Sequence, residues 1–129
     1  MFNLVKIEGG RMNVHEPEKL TVGSKALAIG TACVLSDGLL IAATASTKPT
    51  YVTLAAGESG DEIPCGRIES NQVYEVPVSA APTASLKVGV KVTLDTTGQK
   101  VTATVENGVA TIVSVNGATA AGDLILVRF

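Results

Sequence analysis

Tryptophan is absent from this chain, and tyrosine and phenylalanine occur only twice each in 129 residues. The 46% hydrophobic content therefore comes mainly from Ala, Val, Leu and Ile. Small side chains make thin layers with close backbone approach and a modest burial energy per residue, at about 25 cal/mol per Å² of apolar surface, so such a chain stands to gain by associating. Basic runs are missing as well. Ten Lys and Arg face twelve Asp and Glu, scattered to a net charge of −2. Without a concentrated basic face, direct binding of nucleic acid is not expected. No stretch approaches the roughly 18 apolar residues of a membrane span, so no membrane role is expected. The opening M-F-N-L-V-K-I-E-G-G lacks the apolar core and cleavage site of a signal peptide, which points to synthesis in the cytoplasm. Cysteine is scarce, too. Cys33 and Cys65 are far apart and belong to no C-x-x-C pair, so they read as small core or interface residues and a structural metal has no support.

What the chain does contain is a succession of short alternating runs. Val88, Val90, Val92 and Leu94 alternate with Lys87, Gly89, Lys91 and Thr93, which predicts a strand with one buried face. Tyr74, Val76 and Val78 alternate with Glu75, Pro77 and Ser79. Because Pro77 has no N–H to donate, this run is expected at a sheet edge or ending in a bulge. Between the two, Pro82 is placed to open one short helix at about residues 80–87, with Ala80, Ala81 and Ala84 small enough to tuck under a sheet. Upstream, 26–29, 32–35, 39–43, 51–54 and 63–68 read as strands, and Asp37-Gly38 as a hairpin turn. Downstream, 101–105 and 109–115 are expected to face one another across Asn107-Gly108, and 124–129 closes the chain as an apolar strand covered on both faces.

Residues 1–19 differ from all of this. Leu4, Val5 and Ile7 are followed by Gly9-Gly10 and then by a polar stretch holding Pro17. This reads as an extended N-terminal arm, either a frayed end or a segment that adds a strand to a partner. Residues 20–129 then form one mainly β domain of short antiparallel strands. L-x-V-G-x-K at 20–25 and 86–91, and G-D-x-I at 60–63 and 122–125, occur in the same order. They point to an internal pseudo-repeat of 20–68 and 86–129, two similar β units packed as a barrel or sandwich.

Catalysis needs converging polar groups, and the sequence offers none. The single histidine, His15, lies in the arm between Val14 and Glu16, where nothing would hold it rigidly. Neither cysteine has a partner His on a firm element. Asp37, Asp95 and Asp123 stand beside or near Gly in turns, where a carboxylate bonds its own backbone. Glu58, Asp61 and Glu62 share a loop without Ca²⁺-type spacing. There is no phosphate cradle either, since no G-x-x-x-x-G-K occurs. The chain is expected to be no enzyme and to use no cofactor or metal.

The second half resembles a known group. Gly60-Asp61-x-Ile63, Tyr74-Glu75-Val76-Pro77, Val88-Gly89-x-x-Val92, Asn107-Gly108-Val109-Ala110 and the closing A-A-G-D-L-I-L-V-R-F together are similar to the small β-rich decoration and head-fibre proteins of tailed bacteriophages. The likeness spans 52–129. It implies a small β-barrel or β-tulip domain, commonly a homotrimer, on the outer capsid surface of a virion. There it would act as a decoration (cement) protein, cross-linking major capsid protein subunits against the pressure of packaged DNA. A head-fibre, receptor-binding or glycan-binding module using loops 45–50 and 57–62 is the alternative. With the arm available for strand addition, Asn3, Leu4, Val5, Lys6, Ile7, Arg11, Met12, Asn13 and Val14 are expected on the capsid side. The apolar edge around Val52, Leu54, Tyr74 and Val76 is expected to serve self-association.

Overall fold

A computed structural model describes residues 1–10 and 16–129. Among them the strands are β1 (Asn3–Ile7), β2 (Glu18–Thr21), β3 (Ala32–Ser36), β4 (Leu39–Ala42), β5 (Tyr51–Thr53), β6 (Glu62–Arg67), β7 (Gln72–Pro77), β8 (Lys91–Val92), β9 (Ala110–Ser114) and β10 (Leu124–Arg128). They form two five-stranded antiparallel sheets. The first has the order β1-β7-β10-β9-β8, the second β2-β6-β5-β3-β4. The mainly β expectation stands, but the sheets are open and no barrel closes. Isolated parallel bridges run from Val22, just past β2, to Leu40 in β4, and from Val78, just past β7, to Val101.

Two cores follow from this arrangement. The larger lies between the sheets and takes Ala32, Ala43 and Val52 from one, and Val76, Val92, Ile112, Ile125 and Val127 from the other. Three of the four aromatic rings anchor it: Phe2 lies 6.3 Å from Tyr74 and 5.4 Å from Phe129, with Tyr74 and Phe129 at 6.1 Å. The smaller core sits on the other face of the second sheet and gathers Val22, Leu27, Cys33, Leu40, Tyr51, Ile63 and Cys65.

Local chemistry explains several departures from the sequence reading. Residues 80–87 form turns and not a helix. A single bond from Leu86 N to Thr83 O closes one turn. Ala80, Ala81 and Ala84 are exposed, so nothing pulls a helical face onto the sheet, and one turn alone does not propagate. The alternation at 88–94 yields only the two-residue β8, because Gly89 adopts φ +86° in a turn that leaves Val88 67% exposed. Asn107-Gly108 makes a turn, but 101–105 does not pair with 109–115. Val101 bridges Val78 and Leu94, while β9 pairs with β8 and β10. Asp37-Gly38 does join β3 to β4 as a hairpin. Pro77, expected at an edge, ends β7, which lies inside its sheet between β1 and β10. Asn3–Ile7, placed in an extended arm by the sequence reading, is the edge strand of the first sheet, paired to β7 with a bulge between Leu4 and Lys6.

The two G-D-x-I runs fold alike. Gly60 and Gly122 have φ +87° and +91°. Asp61 Oδ2 accepts from Glu58 N, and Asp123 Oδ2 from Thr119 N and Ala120 N. Each turn then grips one valine. Val22 N donates to Asp61 O and Gly60 N to Val22 O, as Val78 N donates to Asp123 O and Gly122 N to Val78 O. In backbone terms Val22 thus matches Val78. The two L-x-V-G-x-K runs are unlike: Leu20 and Thr21 end β2, whereas 86–90 is turn.

Candidate interaction surface

Among the described residues no three His, Cys, Asp or Glu side chains come together to hold a metal. His15 lies outside the described residues, and so do Arg11, Met12, Asn13 and Val14. Cys33 and Cys65 are fully buried, and their thiols face backbone carbonyls, Thr31 O at 3.4 Å and Ile63 O at 3.6 Å. Burial pushes Cys33 up to about 12 and Cys65 up to about 11, well away from a reactive thiolate. The turn carboxylates are engaged as local acceptors. Asp95 takes Thr97 Oγ1, Gln99 N and Lys100 N, and Asp61 and Asp123 take the bonds given above. The two backbone bonds lower the Asp123 pKa below its ordinary value.

Surface chemistry lies instead in exposed aliphatics. Leu4 and Val5 on β1 are exposed, as are Asn3 and Lys6. The expected self-association set divides. Leu54 is 47% exposed, but Val52, Tyr74 and Val76 are at most 4% exposed. The last three belong to the core between the sheets because β5 and β7 lie inside their sheets and not at an apolar edge. Val76 is fully enclosed, while Val52 and Tyr74 reach the surface only as lining of the apolar groove that Leu54 also borders. Tyr74 Oη donates to Gln72 Oε1 at 2.8 Å, the partner that its burial requires.

Two surface features stand out, the first built partly from residues the sequence had marked for binding (Asn3, Leu4, Val52, Leu54 and Tyr74) and the second from residues it had not. One is an apolar groove of about 260 Å³ at the mouth of the core between the sheets, with Met1, Leu4, Ile29 and Leu54 at its rim. Arg67 forms part of its wall. The guanidinium lies 5.8 Å from the Tyr51 ring centroid, and Nη2 donates to Glu18 Oε1 at 2.8 Å. The other is the tip of the β3–β4 hairpin, where Leu35, Leu39 and Ile41 are all about two-fifths exposed. The signal for the hairpin tip is the unbroken apolar run Leu39-Leu40-Ile41, which puts aliphatic side chains on both faces of one strand.

No family model matches the chain, and no curated protein sequence matches it. Among solved structures it is similar to the head fiber gp8.5 N base of bacteriophage phi29, with a TM-score of 0.64 and 17% identity, over 88% of this chain and 92% of that one. At that identity the likeness establishes the fold, and this chain has the fold of a phage head-fibre base.

Proposed function

We propose that the chain is a structural component of a tailed-phage head and catalyses no reaction. It docks on the outside of the capsid through major capsid protein, and its copies associate there, as a homotrimer in our reading. The observation that carries this is the fold shared with a head-fiber base along nearly its whole length. That likeness favours a base module, the piece that seats a projecting fibre. β1 supports docking, since an edge strand with exposed Asn3, Leu4, Val5 and Lys6 presents both backbone and side chains to a partner. The second reading, a cement that cross-links capsid subunits, draws on the sequence pattern over 52–129. Copies that each engage several subunits gain through effective concentration from individually weak contacts.

A reconstruction of particles made with and without this chain tests the proposal. Density on the outer capsid surface, lost with the chain, is the expected result. Purified virions that lack the chain would overturn it. Earlier heat release of DNA from particles lacking the chain would select the cement reading over the base module.

A further inference from the structure

We propose that copies of this chain contact one another head to tail, with the tip of the β3–β4 hairpin of one copy inserted in the apolar groove of the next. The hairpin's apolar tip is not dictated by the fold, because the molecule contains a second hairpin built the same way. Gly23 N donates to Leu40 O as Ser79 N donates to Val101 O, and each acceptor residue forms a parallel bridge with the matching valine, Val22 or Val78. Leu40 and Val101 therefore hold equivalent places. Leu40 is flanked by Leu39 and Ile41, both exposed, whereas Val101 is flanked by Lys100 and Thr102. Their cross-strand partners differ likewise. Leu94, opposite Val101, is 2% exposed, and Leu35, opposite Leu40, is 43% exposed. One hairpin wears a polar coat, and the other presents bare aliphatic side chains on both faces.

Groove and hairpin match in charge as well as in polarity. The tip carries one anion, Asp37, between Leu35 and Leu39. The groove wall carries one cation, Arg67, whose side chain is 47% exposed. A guanidinium has five donors, and those on Nη2 already face Glu18 and Tyr51; the rest of the fork suits a second carboxylate. The two surfaces cannot meet within one copy. Gly30 and Val52 line the groove at the start of β3, while Asp37 lies beyond its other end, roughly 15 Å away at the rise of a strand. A contact between two different patches of the same chain is heterologous, and it closes into a ring or continues as a filament. This contact is between copies and holds whatever surface the assembly is mounted on.

The test uses the full chain with single exposed cysteines, Ser36→Cys in one preparation and Leu54→Cys in another. Treated with a short bis-maleimide, the mixture should give a covalent dimer that neither variant gives alone, since the native thiols are buried. Adding Leu39→Asp to the Ser36→Cys variant should cut the dimer yield at least tenfold and leave the melting temperature unchanged. A mixture that yields no dimer, a dimer from Ser36→Cys alone, or a yield indifferent to Leu39→Asp would each overturn the proposal.

Discussion

Gly108 matters for the side chain it lacks. Its φ lies outside the left-handed region, yet a Cβ there would sit 2.3 Å from the Lys91 carbonyl carbon and 2.6 Å from Val92 N. Gly117 is the reverse case, at φ +71° with open space around it. Gly108→Ala should therefore push β8 away from its neighbours and cost about 2 kcal/mol or more, whereas Gly117→Ala should cost about 1 kcal/mol through backbone strain alone. Denaturant titration of the two variants separates these outcomes. Both glycines follow an Asn at positive φ, so the sequence marks two turns but not which glycine is sterically confined. The buried acids make a second prediction. Burial raises Tyr74 from 10.0 to about 12, and Cys33 and Cys65 from 9.0 to about 12 and about 11. All three ionise first in the unfolded chain, which then binds fewer protons than the native state. Stability should be full below pH 9 and fall as pH rises towards 12. The Tyr74 share of that fall is about 2 to 3 kcal/mol at 1.36 kcal/mol per unit. In Tyr74→Phe, the total fall in unfolding free energy between pH 10 and 12 should be smaller by about 2 kcal/mol.

At the scale of elements, β1 shows why a short polar-flanked strand resists reading. Leu4, Val5 and Ile7 made a strand legible, but nothing in the sequence tied it to β7, 65 or more residues along the chain, and Gly9-Gly10 argued for a free arm. The tie is Phe2, which precedes the strand, is 3% exposed and packs against Tyr74 and Phe129. Phe2→Ala should cost about 3 to 5 kcal/mol, read as a lowered midpoint in chemical denaturation; a loss under about 1 kcal/mol would mean that β1 rests loosely on the sheet. Deleting 2–18 is for the same reason a poor probe of capsid docking, because it strips core and edge strand together. Point changes at the exposed Leu4 or Lys6 are cleaner. The sequence reading agrees with the structure at Asp37-Gly38, which joins β3 to β4, and at Asp95 and Asp123, whose carboxylates bond their own turns, but at Asn107-Gly108 it has the turn and not the strand pairing. It failed where side-chain alternation was trusted without the backbone. At 88–94 Gly89 turns the chain, and at Val52, Tyr74 and Val76 the covering sheet comes from distant sequence, which no local pattern reveals.

At the scale of the molecule, each sheet is incomplete without the other. The second sheet draws its strands from residues 18–67 alone, yet Ala32, Ala43 and Val52 turn into the core shared with the first sheet. The first sheet takes four strands from 72–128 and its fifth, β1, from the far end of the chain. β1 precedes the second sheet in the chain yet pairs with β7, which follows it, so this pairing spans residues 68–71. Unfolding should therefore be one cooperative transition, with circular dichroism and tyrosine fluorescence tracing the same denaturant curve. The chain divided between Glu69 and Ser70 should also reassemble. Co-expressed fragments 1–69 and 70–129 should copurify, because the core between the sheets and the β1–β7 pairing both span the break. Shortening the first fragment to 8–69 removes Phe2 and β1 and should weaken recovery of the pair sharply. Separate transitions for the whole chain, or fragments that fold independently and fail to associate, would mean that the contact between the sheets contributes little, and that the two similar sheets behave as separate domains.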